Sequence, residues 1–174
     1  MRRQAEAGGA VSAIISSDQK YRYRLTRTLN AMGDSVCFIM LNPSTADAEK
    51  DDPTIRRCKD YVLRLGYGQL EVVNLFAYRA TDPDVLYGMS KLAVIGPEND
   101  KHIAEAACAA HLTICAWGNH GILHGRDREV IKLLCFNGIQ PHALKINAKS
   151  GQPGHPLYLK SNAQPIPLSP HEPG

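Results

Sequence analysis

The order of apolar and polar residues predicts two kinds of strand. Residues 21–29 alternate with a period of two, which is typical of a strand covered on one face. With the apolar residues 10–16 before them, they predict an antiparallel N-terminal β-hairpin. Residues 35–41 are a continuous apolar run, as expected of a strand covered on both faces, and residues 70–78 predict another buried strand.

Segments with helical spacing follow these strands. The clearest begins at Asp52-Pro53, where Asp52 is expected to cap the helix, and ends at Gly66. The remaining predictions are helices at 82–89, 97–110 and 127–138 and strands at 112–118 and 142–147. Strands that alternate with helices predict crossover connections and a mostly parallel sheet. We therefore expect a single α/β domain at residues 1–160, a three-layer sandwich, followed by a Pro-rich extended or mobile tail at residues 161–174.

Composition narrows the class of protein without naming a function. The length of 174 residues with 44% hydrophobic content suits one compact core. A net charge of +3 permits a polyanionic partner but does not demand one. No apolar run approaches the roughly 20 residues that span a bilayer, so no membrane association is expected. The five scattered cysteines favour buried thiols in a reducing compartment, and we expect a cytoplasmic protein.

The familiar cofactor and nucleophile motifs are absent from the sequence. There is no G-x-G-x-x-G, no G-x-x-x-x-G-K-[ST] and no G-x-S-x-G. The seven histidines form no H-E-x-x-H or other metal-binding spacing. The sequence therefore predicts no cofactor and no metal, and it leaves the oligomeric state open.

Polar side chains follow every predicted core strand. They are Asn42, Ser44 and Thr45 after the first, Asn74 in the second, Trp117 after the third and His155 after the last. Because ligands bind outside the carboxyl ends of parallel strands, we expect these side chains at one edge of the sheet. Pro43 holds Asn42 in an extended conformation, and the small residues after it leave backbone N–H groups open. The alternative is that this stretch only forms a turn and caps a helix.

The order of these motifs resembles an uncharacterised family of bacterial and phage proteins, classified as a domain of unknown function. The matching strings are YRYRLTR, FIMLNPSTADAEKDDPTIRRC, VVNLFAYRATDP, IGPEND, AWG and GHPLYL. They extend from about residue 21 to residue 159, nearly the whole chain. The resemblance implies no activity.

A more distant resemblance is to the uracil-DNA glycosylase superfamily. Some of its branches carry Asn-Pro after the first core strand, a later strand ending in Asn, another ending in Trp-Gly and a final loop with His-Pro. The corresponding residues here are Asn42-Pro43, Asn74, Trp117-Gly118 and His155-Pro156. Two positions depart from that pattern, because Ser44 replaces a glycine and Leu157 replaces a serine that helps to hold a phosphate.

The second resemblance implies roles for individual residues. Asn42 would hold the attacking water, and His155 would donate a hydrogen bond to the base as negative charge develops. Asn74 would read the Watson–Crick edge with its donor and acceptor. Base contacts are also predicted for Phe76, Tyr78 and Trp117, with a place in the hydrophobic core as the favoured alternative for Phe76 and Tyr78.

The basic residues near these loops predict a track for phosphate groups. The candidates are Ser44, Thr45, Arg56, Arg79 and Arg126, and the implied partner is a nucleic acid or a nucleotide. The alternative is that the arginines lie on solvated helix faces.

Two functions are consistent with these residues. The first is hydrolysis of the N-glycosidic bond of a modified or deaminated base. The second is a non-catalytic module of the same fold that binds a nucleotide or nucleic acid. A third alternative, an interaction protein, predicts that Asn42, Asn74 and His155 do not converge.

Overall fold

The computed structural model describes residues 11–44 and 49–169, which form a seven-stranded sheet with helices on both faces. The strands are β1 (Val11–Ile15), β2 (Arg22–Thr28), β3 (Ser35–Met40), β4 (Gln69–Asn74), β5 (Leu112–Cys115), β6 (Pro141–Ala143) and β7 (Ile166–Pro167). The helices are α1 (Pro53–Arg64), α2 (Asp84–Tyr87), α3 (Lys91–Ile95), α4 (Asn99–Ala109) and α5 (Arg126–Phe136). Within the described residues, none of these helices has the length and apolar character needed to cross a membrane.

The sheet is mixed, which corrects the prediction of a mostly parallel sheet. Its order is β1-β2-β4-β3-β5-β6-β7, and only the pairings within β4-β3-β5-β6 are parallel. The predicted N-terminal hairpin of β1 and β2 is confirmed, and β2 adds antiparallel to β4. At the other edge, β7 from the Pro-rich tail pairs antiparallel with β6. Proline is tolerated there because an edge strand needs fewer ladder hydrogen bonds.

Alternate residues of the parallel strands face two different helical layers. Val36 and Phe38 of β3 belong to the core cluster that contains Ile55 and Val62 of α1. The neighbouring Ile39 packs into the second cluster, with residues of α4 and α5 such as Ile103 and Val130. The sheet is therefore buried on both faces, as the continuous apolar runs indicated.

Helix α1 begins and ends as the sequence predicted. Asp52 Oδ1 accepts a hydrogen bond from the Ile55 N–H at 2.8 Å, and Pro53 stands in the first turn. Gly66 follows the helix with a φ of +85°, a conformation that costs glycine little. This start fixes the first turn of α1 at the carboxyl edge of the sheet, close to the end of β3.

The cysteines follow their prediction only in part. All five are free thiols, and Cys37, Cys58 and Cys115 are buried in the core. Cys108 of α4 and Cys135 of α5 are exposed, because they lie on the solvent-facing sides of their helices.

Strand β2 contains an irregularity that the sequence pattern did not predict. Ile14 pairs with Arg24, but the next residue, Ile15, pairs with Arg22, so one residue of β2 is inserted into the ladder. Such a bulge re-aims the side chains beside it. Arg24 bonds to Glu71 on β4, whereas Arg22 lines the cleft described below.

Candidate functional site

A cleft of about 650 Å³ lies at the carboxyl ends of β3, β4 and β5. The chain runs from β3 to β4 on one side of it and then to β5 on its other side, so this edge is a topological switch point. Ligands of open α/β sheets bind at such points. Five predicted residues from four separate segments of the chain line the cleft together: Asn42, Ser44, Asn74, Trp117 and His155.

The side-chain amide of Asn42 has a fixed orientation. Its Nδ2 donates to the carbonyl oxygens of Ala80 at 2.8 Å and Pro43 at 3.1 Å. Because both partners are acceptors, the amide nitrogen must face them. Its Oδ1 accepts no hydrogen bond from the residues that the structure describes, so it remains an acceptor available at the cleft.

Asn74 is a deeply buried amide whose side chain has no hydrogen bond among the described residues. The residue is 2% exposed, and it lines the cleft beside Val72 and Met40. Its backbone carbonyl, in contrast, accepts from Asn99 Nδ2 at 2.9 Å. A buried amide without partners costs free energy, so an unsatisfied donor and acceptor facing a cleft point to a ligand with a planar polar edge.

His155 presents a hydrogen-bond donor to the cleft. The Leu157 N–H donates to its Nδ1 at 3.3 Å, so in the neutral ring the proton is on Nε2. Burial lowers the pKa of His155 below its usual value of 6.5, with the charge of Asp52 acting in the opposite direction. The imidazole is therefore a neutral donor at physiological pH.

Helix α1 holds the loop that carries His155. Arg57 Nη2 donates to the carbonyl oxygen of Leu159 at 2.6 Å, and Tyr61 Oη donates to that of Lys160 at 2.6 Å. A short 3₁₀ helix, Pro156–Tyr158, lies between these anchors and His155. Since α1 is itself packed on the sheet, the position of His155 is tied to the core.

Trp117 is fixed at the end of β5 by a polar chain. Its Nε1 donates to Gln152 Oε1 at 2.8 Å, and Gln152 Nε2 donates to Asp127 Oδ2 at 2.9 Å. Gly121 packs directly on the indole ring, where a Cβ atom would lie 2.1 Å from Cδ1. The indole N–H is thus committed within the protein, which leaves the ring as an apolar wall of the cleft.

The sequence analysis missed Arg22 as a residue of this site. Arg22 is 4% exposed and lines the cleft, and its guanidinium has no hydrogen bond or salt bridge among the described residues. Burial lowers its pKa to about 10; Asp52 raises it, and Arg79 and Arg27 lower it further. Arg22 lies beside the bulge in β2 and lines the cleft, and a single sequence carries no clear signal of a bulge.

Phe76 and Tyr78 are not among the residues of the cleft lining, and they take the alternative predicted for them, a place in the core. Phe76 is fully buried in the core cluster on the α4 and α5 side of the sheet. Tyr78 packs against that same cluster and forms an edge-to-face contact with Tyr21. Both predictions of a base contact rested on the short distance of these residues from Asn74 along the chain. After β4 ends, however, the chain turns into the core cluster on the α4 and α5 side of the sheet.

The three arginines predicted to bind phosphate also lie outside the cleft lining. Arg126 is 1% exposed: it donates to the carbonyl oxygen of Leu75 at 2.8 Å and pairs with Asp100 and Glu129. Arg79 bonds to the carbonyl oxygen of Gln19, and Arg56 is exposed on α1. Arg126 holds the end of β4 in place instead of forming a rim. Thr45, the other predicted phosphate ligand, lies outside the described residues.

The potential metal ligands among the described residues do not cluster into a metal site. In residues 11–44 and 49–169, no three His, Cys, Asp or Glu side chains come together as ligands would. Asp52 is the carboxylate of the cleft lining, and its oxygens accept from Ile55 N–H and from Ser44 Oγ. The other polar groups of the lining are amides, hydroxyls, two imidazoles and two cations.

The fold and the site define an α/β protein with a polar cleft at its topological switch point. A family model described as a protein of unknown function (DUF1643) matches residues 22–157, and the chain belongs to this family. The family agrees with the first resemblance drawn from the sequence motifs. Comparisons with curated proteins and with solved structures give no match.

Proposed function

We propose that this protein recognises a nucleobase in the cleft and hydrolyses its N-glycosidic bond, with a modified or deaminated base as the substrate. The observation that carries the proposal is the convergence of Asn42, Asn74 and His155 in one cleft. These residues come from three separate segments of the chain, and the distant resemblance to the uracil-DNA glycosylase superfamily assigns a role to each. The volume of about 650 Å³ lies in the range of small-molecule sites and accommodates a base with its sugar.

Each side chain suits one demand of the reaction. Cleavage leaves a cationic sugar and places negative charge on the departing base. The Nε2–H of a neutral His155 can donate to a base oxygen and stabilise that charge. Asn42 Oδ1 can hold a water, because its own Nδ2 is bound to Ala80 and Pro43 and cannot turn away.

The unsatisfied amide of Asn74 would select the base. A donor and an acceptor on one planar group match the alternating groups on the edge of a pyrimidine or purine. A site built to hydrogen-bond such an edge rejects analogues that lack it, because its buried groups then stay unpaired. The indole of Trp117 would close one wall of the same pocket.

The test is release of a base from defined substrates. Single-stranded and duplex oligonucleotides with uracil, hypoxanthine, xanthine or a hypermodified pyrimidine are incubated with the protein, and abasic sites are cut with alkali. Free nucleotides with the same bases are tested by chromatography. We expect cleavage that Asn42→Ala removes and that Asn137→Ala, an exposed amide at the end of α5, leaves unchanged. Absence of cleavage on every substrate would contradict a hydrolase.

A second candidate is binding of the same ligand without cleavage. It is favoured by the chemistry of Asp52, whose two oxygens already accept hydrogen bonds, so no carboxylate of the described lining is poised as a general base. An amide such as Asn42 is a weak base. In this case Asn74→Ala would weaken nucleotide binding although no product forms.

A further inference from the structure

Arg22 is a buried cation that has no direct hydrogen-bond or salt-bridge partner among the described residues. It is 4% exposed, its Nε is buried without an acceptor, and it forms no salt bridge with any described carboxylate. Buried charges in proteins are normally paired, because an unpaired charge loses its hydration without compensation. An unpaired guanidinium in a cleft lining therefore indicates an anionic group on the ligand.

Charges of both signs lie around Arg22. Asp52 is near enough to favour the charged form, but Arg79 and Arg27 both oppose it. Asp51 does not compensate, because it is already paired with Arg27 at 2.9 Å and Lys59 at 2.7 Å. A second cation, Lys145, is exposed and also lines the cleft.

The first turn of α1 contributes a favourable field at the same place. Thr54 and Ile55 of that turn line the cleft together with Arg22. The first turn contains no acidic residue, although Asp51 and Asp52 directly precede it. Asp52 already accepts from the Ile55 N–H and Pro53 has no N–H, so the backbone N–H of Thr54 is the helix donor left for an anion beside the guanidinium.

We propose that Arg22 binds a phosphate group of the ligand, and that this ligand is a nucleoside monophosphate. The nucleoside part rests on the proposed function, whereas the phosphate part rests on Arg22. Guanidinium groups bind phosphate through paired, charge-assisted hydrogen bonds. Because Arg22 is so little exposed, only a group that enters the cleft reaches it.

A terminal phosphate fits this position better than the phosphate of a continuous strand. A phosphate within a strand needs room for sugar on both sides, and its track would need cations along the surface. The arginines predicted for such a track, Arg56, Arg79 and Arg126, do not line the cleft. Arg126 is instead consumed by its contacts with Leu75, Asp100 and Glu129.

The experiment compares matched ligands by isothermal titration calorimetry. The probes are deoxyuridine monophosphate and deoxyinosine monophosphate, the corresponding nucleosides, inorganic phosphate, and single-stranded oligonucleotides with one such base. The variants are Arg22→Gln and Arg22→Lys, with Arg24→Gln as the matched control on the same strand. Arg24 pairs with Glu71 and does not line the cleft. Thermal unfolding establishes that each variant is folded.

We expect the monophosphate to bind wild-type protein about tenfold to a hundredfold more tightly than its nucleoside, the usual effect of a charge-assisted hydrogen bond. The ratio of the Kd of the nucleoside to the Kd of the monophosphate should fall to near one in Arg22→Gln. It should persist in Arg24→Gln and remain in part in Arg22→Lys. If Arg22→Gln does not fold, Arg22→Lys decides, because the single point charge should bind less tightly than the guanidinium.

Three results separate this inference from the proposed function. Equal affinities of monophosphate and nucleoside, or a ratio that Arg22→Gln leaves unchanged, would overturn the role of Arg22 while base recognition stands. Binding of inorganic phosphate through Arg22 without any preference for a base would keep the phosphate site and overturn the proposed function. Tighter, Arg22-dependent binding of the oligonucleotide than of the monophosphate would overturn the choice of a monomer.

Discussion

Asn42 Nδ2 donates a hydrogen bond to the carbonyl oxygen of Ala80 at 2.8 Å, which ties the loop after β3 to the loop after β4. A second bond to Pro43 uses the other amide hydrogen. The relationship fixes which atom of Asn42 remains for a ligand or a water. It also makes this residue part of the local structure, so its substitutions need to be compared for stability as well as for activity.

Asn42→Asp should therefore destabilise the fold more than Asn42→Ala. The aspartate would place a negative oxygen against two carbonyl oxygens, whereas alanine only loses two hydrogen bonds. We expect losses in the free energy of unfolding of about 2–4 kcal/mol for aspartate and about 1–2 kcal/mol for alanine. Urea denaturation monitored by circular dichroism measures both. Equal losses would mean that the two contacts do not fix the amide.

Asn74 at the end of β4 and Asn99 at the start of α4 are both buried, but their substitution should change the free energy of unfolding to different extents. Asn99 Nδ2 donates to the carbonyl oxygens of Asn74 and Leu75, so Asn99→Leu should cost about 2–4 kcal/mol of unfolding free energy. Asn74→Leu removes an amide without hydrogen bonds and should change stability by less than about 1 kcal/mol. The same variant should abolish discrimination between bases in the binding assay. A strongly destabilised Asn74→Leu would show that its amide has a structural partner.

His155 should titrate below 6.5, which nuclear magnetic resonance of the imidazole measures directly. Because its pKa is lower in the folded protein than in the unfolded chain, the unfolded chain binds more protons between the two values. Its contribution to stability is present above about pH 6.5 and is lost as pH falls toward the folded pKa.

As the pH falls from about 7 to about 5, the free energy of unfolding of His155→Gln should therefore decrease less than that of the wild type. The pKa of His102 is also lowered by burial, and this contribution is common to both proteins. Parallel stability curves for the two proteins would contradict a depressed pKa at His155.

Arg22→Met should stabilise the free protein while it removes phosphate binding. Methionine keeps much of the apolar stem and eliminates a buried, unpaired charge, so we expect a gain of about 1–3 kcal/mol in unfolding free energy. Arg24→Met should give no such gain, because it removes a partly exposed salt bridge with Glu71. Destabilisation by Arg22→Met would mean that the guanidinium has a partner in the free protein.

Gly121→Ala should displace the indole of Trp117. The new Cβ would lie 2.1 Å from Cδ1 and 2.4 Å from Nε1, which is incompatible with the bond to Gln152. We expect a loss of about 2–3 kcal/mol and a shift in fluorescence, which reports this site alone because the chain has one tryptophan. Gly88→Ala is the control, since its nearest neighbour is 3.8 Å away.

The local elements were predictable because they depend on neighbours along the chain. The cap at Asp52, the apolar period of α1 and the buried runs of β3 and β4 all have local physical causes. The placement of Asn42, Asn74, Trp117 and His155 at one edge also followed from the sequence, since carboxyl ends of parallel strands share an edge.

The pairings of β2 with β4 and of β7 with β6, and the cations that line the cleft, were not predictable in this way. Pairing of β7 with β6 and of β2 with β4 depends on contacts between distant segments, so a period of two cannot specify the partner. Arg22 and Arg24 look equivalent in the sequence, and the bulge at Ile14–Ile15 separates them. Arg126 looked like a free cation until the fold brought Leu75, Asp100 and Glu129 to it.

The sequence by itself determined strands β1 to β6, the principal helices and the polar residues that end the core strands, because each is specified within a few neighbouring residues. The tertiary structure alone decided which polar side chains of the cleft have no hydrogen-bond partner among the described residues. Burial and hydrogen bonding are properties of the packed molecule, and they leave the Asn74 amide and the buried Nε of Arg22 without such partners in the same cleft.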